Sequence, residues 1–472
     1  DGNSYGSFYY TPPTGYLALV DDNIPQEGLE SPDWVWIKER DANVHHYLFD
    51  TIRGPKTYVQ SSVAHSTTEA ARTDDTTLIS FDPQGFTVGS NGDVNGSDDS
   101  YVAWMWKAGG PSPTRTYTVK VDADASDGDQ NKYLFDGNTT IYAPTLTLQP
   151  GGTYTFDQSD GSNSGHPLRF STTSDGTHSG GSEYTTGVTT AGTPGTDGTT
   201  TIVLANDAPT LYYYCSVHSG MGGQVTPNTK HGSSNFKGGK ESIVTANQTA
   251  GFSIASYVGD HTTAGTSGRP VGHGLLKQTE FTIIKDRGNN SNNDNWSLSS
   301  THIGDDYIYW TSMNPTGTAQ VYPTSGDDET VTVGISGTTA ATRTSNEDNH
   351  DFIMYNFHSV DGYCKLGSYE GNGNADGPFV YTGFKPRWVM IKCYEGTGNW
   401  FILDSVRSPI NEMDDRLDAD LDNAEGTANA DIDFLSNGFK IRTASTAGIN
   451  QNNDGHFYIA FADQPFKYSN SN

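Results

Sequence analysis

Apolar residues along this chain fall in short runs, each broken by glycine, asparagine or aspartate. Tyr47-Leu-Phe-Asp50, Thr116-Tyr-Thr-Val-Lys-Val121, Thr153-Tyr-Thr-Phe156, Phe352-Ile-Met-Tyr-Asn-Phe357 and Trp400-Phe-Ile-Leu-Asp404 are rich in β-branched and aromatic residues. Runs of that length and composition, bounded by turn residues, predict β-strands. The one helix-like stretch, residues 411–425, is short and very acidic, and a loop fits it equally well.

The strands recur in sets. Gly15-Tyr-Leu-Ala-Leu19, Gly251-Phe-Ser-Ile-Ala-Ser-Tyr257 and Gly362-Tyr-Cys-Lys-Leu-Gly-Ser-Tyr369 open three similar segments. Each then shows a block ending in lysine: Trp34-Val-Trp-Ile-Lys38, Phe281-Thr-Ile-Ile-Lys285 and Trp388-Val-Met-Ile-Lys392. An aromatic strand follows, and the first and third copies carry an Asp-x-x-Arg after it, Asp50/Arg53 and Asp404/Arg407. All three close on an aromatic strand: Tyr101–Trp106, Phe352–Phe357 and Phe457–Phe461. A repeat of roughly 100 residues has the size of one sandwich domain and is too large for a solenoid unit.

Between the first two copies about 120 residues intervene, with Pro and Gly at entry and Pro227-Asn-Thr-Lys230 at exit, and with strands of their own. Surface loops tolerate such insertions well. The expected organisation is an extended arm over 1–14, a repeat over 15–110, an inserted domain over 111–230, a linker and second repeat over 231–361, and a third repeat over 362–472.

Composition agrees with an all-β chain. Hydrophobic residues make up only 33% of 472, while Gly, Ser, Thr, Asn and Asp are plentiful and aromatics reach 11%. The formal net charge of −29 argues against nucleic-acid or anionic-membrane partners, both of which would repel it. No apolar run nears the roughly 18 residues of a membrane span. Three cysteines cannot build a disulfide framework. The chain begins at Asp1 without a signal-peptide pattern, which implies either upstream processing or a longer product.

The sharpest chemistry lies in Tyr212-Tyr-Tyr-Cys-Ser-Val-His-Ser-Gly-Met-Gly-Gly223. Cys215, His218 and Met221 stand in a Cys-x2-His-x2-Met spacing at the end of a strand, and His166 precedes another strand upstream. A thiolate, two imidazoles and a weak axial thioether form the ligand set of a blue-copper site, with zinc or a free thiol as competitors. His178 lies on a polar loop and is not counted as a ligand. Asp50/Arg53 and Asp404/Arg407 are expected to pair and fix a corner, and the strand tryptophans are expected to be core. Asp122–Asp129 and Asp414–Asp422 are acidic, but neither completes a calcium loop, so calcium is not expected. There is no P-loop or His-Glu-x-x-His, and the chain does not read as an enzyme.

Two resemblances follow from these residues. About 115 residues of the insert resemble plastocyanin- and amicyanin-like cupredoxins, in the order of strands and in the ligand loop. That resemblance implies His166, Cys215, His218 and Met221 as ligands of a type 1 copper. The three-copy framework, carried by Pro32-Asp-Trp-Val-Trp-Ile-Lys-Glu-Arg-Asp41, Tyr101-Val-Ala-Trp-Met-Trp-Lys-Ala-Gly109, Asn399-Trp-Phe-Ile-Leu-Asp-Ser-Val-Arg407 and Phe461-Ala-Asp-Gln-Pro-Phe-Lys-Tyr468, resembles a family of virion and tail-fibre proteins of marine tailed bacteriophages. It implies repeated jelly-roll or lectin-like β-sandwiches with an inserted cupredoxin-like Greek-key sandwich. By the same resemblance the chain is expected in the virion, as a fibre, appendage or decoration subunit. Its expected partners are copies of itself, other virion proteins and host surface glycans. A carbohydrate-binding adhesin and a copper electron-transfer or storage protein are the alternatives.

Overall fold

The computed structural model describes residues 5–10, 31–62, 73–83, 85–260, 268–287, 296–303, 308–309, 324–334, 345–427, 430–444 and 448–463. The chain is all-β and divides into two compact units. One comprises residues 1–108, 246–268 and 275–472; the other comprises 109–245 and 269–274.

The larger unit holds the three repeats. In the first, a sheet runs in the order Tyr5–Tyr10, Tyr101–Trp106, Trp34–Glu39, Tyr47–Asp50, Tyr58–Val59. The third repeats that order with Cys364–Glu370, Gly455–Ala462, Pro386–Cys393, Trp400–Asp404 and Leu417–Asp418. In the second the same positions are filled by Phe252–Val258, Asp351–Phe357, Phe281–Asp286, Ser297–Ser300 and Ile308–Tyr309. The segment expected as an extended arm supplies the edge strand Tyr5–Tyr10, in the place that Phe252–Val258 and Cys364–Glu370 hold in their repeats. The motif Gly15 to Leu19 lies outside the described residues.

Each of these sheets is apolar on both faces, which is why its strands read as unbroken hydrophobic runs. Strand alternation turns Val35 and Ile37 toward Leu78, Phe86 and Val88 of the first sandwich, and Val389 and Ile391 toward Phe434, Phe439 and Ile441 of the third. The opposite faces meet in one common core. Trp34, Trp36, Trp104, Trp106, Trp296, Trp388 and Trp400 are all buried there. Ring contacts join every pair of repeats: Trp34 stacks on Tyr355 at 4.5 Å, Trp106 meets Trp388 edge-on at 5.9 Å, and Phe281 meets Phe457 at 4.9 Å.

The Asp-x-x-Arg corners lie inside this core. Arg53 Nε donates to Asp50 at 2.5 Å and Arg407 Nε to Asp404 at 2.7 Å, with all four side chains fully buried. Each corner serves the next repeat: Tyr355 Oη donates to Asp50 Oδ2 at 2.7 Å, and Trp104 Nε1 to Asp404 Oδ2 at 3.2 Å. The second repeat has Ser300 and Ile303 at the corner. Register places Ile459 of the third repeat at the position that Trp104 and Tyr355 hold. Where the acid is missing, so is the donor that would have needed it.

Residues 411–425 are not helical. Met413 bridges to Ile432, Leu417–Asp418 adds to the third sheet, and Glu425 binds both Arg40 (2.6 Å) and Arg407 (2.9 Å). Buried Arg407 and half-buried Arg40 draw Glu425 inward, and a solvated acidic helix could not satisfy them.

The smaller unit is a two-sheet sandwich. One sheet runs Leu146–Leu148, Gly223–Pro227, Leu211–Cys215, Leu168–Ser171; the other runs Val188–Ala191, Thr199–Val203, Thr153–Asp157, Thr114–Asp124, Gln130–Phe135. It extends past the expected boundary at 230. Phe236 is fully buried in its core, Tyr117 Oη donates to the Ser234 carbonyl at 2.7 Å, and Tyr154 Oη lies 2.7 Å from Ser233 Oγ. The proline turn that marked the exit in sequence is followed by one more packed segment. Of the two acidic stretches, Asp122–Asp129 forms a strand end and a tight turn in which Asp127 pairs with Lys132 at 2.6 Å.

Two predictions follow from the larger unit. Asp50→Ala strands a buried guanidinium and is expected to cost about 3–5 kcal/mol, and Tyr355→Phe about 1.5–3 kcal/mol, read from denaturant midpoints at unchanged slope. The second concerns Asp420, which is 4% exposed. Burial pushes its carboxyl up to about 7, against the Trp400 N–H (2.9 Å) and Lys392, with Asp418 adding to the rise. A raised carboxylate favours the fold fully below its unfolded value and loses that contribution as pH rises through the folded one. Asp420→Asn should match the parent near pH 3.5, gain on it as pH rises, and level off above about pH 7 at about 4 kcal/mol more stable. Thermal unfolding across that range measures the difference.

Candidate metal centre

Strand pairing builds this site. Alternation along Leu211–Cys215 turns Leu211, Tyr213 and Cys215 into the core of the smaller unit. Leu168–Ser171 runs antiparallel beside it with Leu168 opposite Cys215, and the Ser216 N–H donates to the Pro167 carbonyl at 3.0 Å. His166 is thereby set beside a cysteine 49 residues away, with its Nδ1 at 3.9 Å from Cys215 Sγ.

After Cys215 the chain turns at once. The His218 N–H donates to Cys215 Sγ at 3.4 Å, and the His218 ring folds back so that its Nδ1 stands 3.8 Å from the same sulfur. Gly220 takes a left-handed φ of 74°. A Cβ on Gly222 would overlap the Tyr213 carbonyl, so only glycine lets Gly223–Pro227 return alongside.

The three ligand atoms lie within 4.8 Å of one another, and the two imidazole centroids are 4.6 Å apart. Among the described residues no other three His, Cys, Asp or Glu side chains converge in this way. Cys215 is buried, His166 is partly buried and His218 is exposed. Met221 is 1% exposed and belongs to the same apolar core as Cys215. Burial holds the His166 imidazole below the ordinary histidine range, and the neighbouring His218 adds to that. The neutral imidazole is the ligating form.

These distances fit a metal. Bonds of about 2.3 Å to thiolate and about 2.0 Å to imidazole give S···N separations of 3.8–3.9 Å when the angle between them is about 120–130°. Both sulfur–metal–nitrogen angles would then be wider than tetrahedral. A trigonal His2Cys set with a weak thioether is the donor arrangement that suits copper.

Four further side chains hold the ligands. Gln158, 1% exposed, donates from Nε2 to the His166 carbonyl at 2.7 Å and accepts the Leu168 N–H on Oε1 at 2.9 Å. Asn163 donates from Nδ2 to the Val119 carbonyl at 2.8 Å, and its main-chain carbonyl accepts the His166 N–H at 2.8 Å. Asp175 accepts the Gly220 N–H at 2.9 Å. His178 is exposed, and its Nε2 is 2.9 Å from the Cys215 carbonyl, so it touches the site without ligating. Sequence reasoning named none of these as supports. Apart from Gln158 Nε2 to Asn163 Oδ1 at 3.2 Å, their partners here are main-chain groups, which leave no mark on the residue types around them.

Residues 21–130 and 225–465 match a family described as a domain of unknown function (DUF7483). The chain belongs to this family. The stretch between the two matched parts, 131–224, contains His166, Cys215, His218 and Met221. No curated protein matches the chain.

Gln158→Leu should cost the smaller unit about 2–3 kcal/mol, because it leaves the buried Leu168 N–H unpaired. Hydrogen exchange at Leu168 should accelerate accordingly, with little change in the larger unit.

Proposed function

We propose that this chain is a structural subunit of a tailed-bacteriophage particle whose inserted unit is a cupredoxin-like module holding one copper ion. The observation that carries the copper reading is the convergence of His166 Nδ1, Cys215 Sγ and His218 Nδ1, the sulfur 3.8–3.9 Å from each nitrogen, with Met221 buried in the same core. Cys215 would give the thiolate, His166 and His218 the two imidazoles, and Met221 the weak axial thioether. A copper ion held by these four residues would supply one-electron redox chemistry. Gln158, Asn163 and Asp175 keep the donors in place, and the apolar core limits water at the sulfur.

The virion reading is supported by the resemblance of the repeat framework and by three sandwiches fused on one aromatic core. Such a body suits a fibre, appendage or surface decoration that assembles with copies of itself and other virion proteins. A second reading, a carbohydrate-binding adhesin, draws on Phe379 and Tyr381. These are 45% and 65% exposed, on the same side of an edge strand of the third repeat. Aromatic rings so displayed can stack on sugar faces. Glycan-array binding that is indifferent to copper and lost in Tyr381→Ala would favour it.

Copper binding is tested on the full chain. Cu(II) should bind at one equivalent with an intense visible thiolate-to-metal band bleached by reductant, and Cys215→Ser should abolish the band. At free metal about 100-fold above the dissociation constant, the smaller unit should gain about 2.7 kcal/mol, and the variant should gain nothing. Mass spectrometry and imaging of purified particles test the location; a chain absent from the particle sinks the virion reading.

A further inference from the structure

Two residues separate His218 from Met221, so the main chain at Gly220 decides where the thioether stands. That main chain is gripped on both sides. Asp175 accepts the Gly220 N–H at 2.9 Å, and Lys132 Nζ donates to the Gly220 carbonyl at 2.7 Å. Lys132 lies on the strand Gln130–Phe135 and also pairs with Asp127 of the preceding turn at 2.6 Å. The next residue of the strand continues the contact. The Tyr133 N–H donates to the Met221 carbonyl at 3.1 Å, and Tyr133 Oη donates to the His166 carbonyl at 2.8 Å. This strand gives no ligand, yet it bonds both to the incoming His166 turn and to the Met221 loop.

Gly220 is where the loop most needs holding. Its φ of 74° is open to glycine because there is no Cβ, and the same freedom lets the loop relax in other directions. Here one charged group holds the peptide before Gly220 and another holds the peptide after it. Hydrogen bonds with an ionised partner are about twice as strong as neutral ones. The Lys132 side chain is only 13% exposed, so its stem is covered and its ammonium is directed onto that carbonyl. Met221 lies among apolar side chains, which confine a flexible thioether without orienting it. Its orientation is set from the main chain that Lys132 and Tyr133 hold.

We propose that Lys132 is a positioning residue of the candidate metal centre, pinning the Gly220 carbonyl so that the Met221 thioether keeps one position relative to Cys215, His166 and His218. This rests on the copper reading above. A thioether is a weak axial donor, and in a site of this type the axial donor tunes the ion's properties. Side chains that orient ligands from behind typically change metal affinity by about 10- to 100-fold. Asp127 meets the same ammonium from the solvent side, its side chain 55% exposed. Its charge can be removed while the bond from Lys132 to Gly220 stays.

The test uses the full chain with Cu(II) as probe. It reads the visible and electron paramagnetic resonance spectra, the affinity, and amide exchange at Gly220. Lys132→Met keeps the covered stem and loses the donor. It should bind copper about tenfold more weakly with both spectra altered, and in the metal-free chain the Gly220 amide should exchange about tenfold faster. Lys132→Arg, which can reach the same carbonyl, should return all of these to wild-type values. Asp127→Asn should leave the spectra in place. Asp175→Gly frees the loop from the other side, at a position whose φ of 58° suits glycine. It should alter the spectra as Lys132→Met does, and this arm stands even if Lys132→Met folds poorly. A normal wild-type spectrum that a folded Lys132→Met or Asp175→Gly retains overturns the role of Lys132 alone. An equal change in Asp127→Asn does the same, because it assigns the effect to charge. A wild-type chain with no bound copper removes the copper reading and this one together.

Discussion

Burial of each repeat's long sheet on both faces is the constraint from which the larger unit follows. A sheet with tryptophans on one side and valines and isoleucines on the other cannot leave either side in water. Each aromatic ring removed from water contributes on the order of 4–6 kcal/mol, and seven tryptophans share the common core. A small two-stranded or three-stranded sheet covers one face within the repeat, as Leu78–Asp82 and Gly85–Val88 do in the first. The other face is covered only by the neighbouring repeats. The three copies are therefore parts of one hydrophobic body, and a lone copy would expose the rings that now stack across its boundaries.

Polar groups inside such a core must answer one another. Asp50 and Asp404 each hold an arginine of their own repeat and a donor of the next one round, Tyr355 and Trp104 respectively. The second repeat departs from the pattern at Ser300 and Ile303, and the third repeat departs with it at Ile459. What looked in sequence like decay of one copy is matched by a change in another. Buried charge is costly unless paired, so losing an acid without its partners would have left the worse arrangement.

The candidate metal centre belongs to a different physical problem. Its three converging ligands come from one strand end, one tight loop and one incoming turn, all within 131–224, outside the family match. The frame can be built without them, and their geometry is kept by local hydrogen bonds to main-chain groups. Gln158 and Tyr133 both end on the His166 carbonyl, and this shared acceptor ties the supporting side chains into one network.

Strand existence and the three-fold repetition were legible in sequence because short apolar runs between turn residues have few other solutions. The Cys215, His218 and Met221 spacing was legible because one loop carries all three. Other features had no local signal. Tyr5–Tyr10 became a strand because a sheet edge was there to pair with. Residues 411–425 stayed extended because buried Arg407 and half-buried Arg40 claimed Glu425. The smaller unit kept Phe236 because its core had room for that ring. Sequence by itself determined which segments are strands and which side chains can ligate, since both depend on residue type and spacing. Tertiary structure alone decided which face of each sheet meets another repeat, and that Tyr133 and Gln158 stand behind the ligands. Those outcomes depend on partners far away in the chain, and a backbone carbonyl accepts a hydrogen bond whatever its residue.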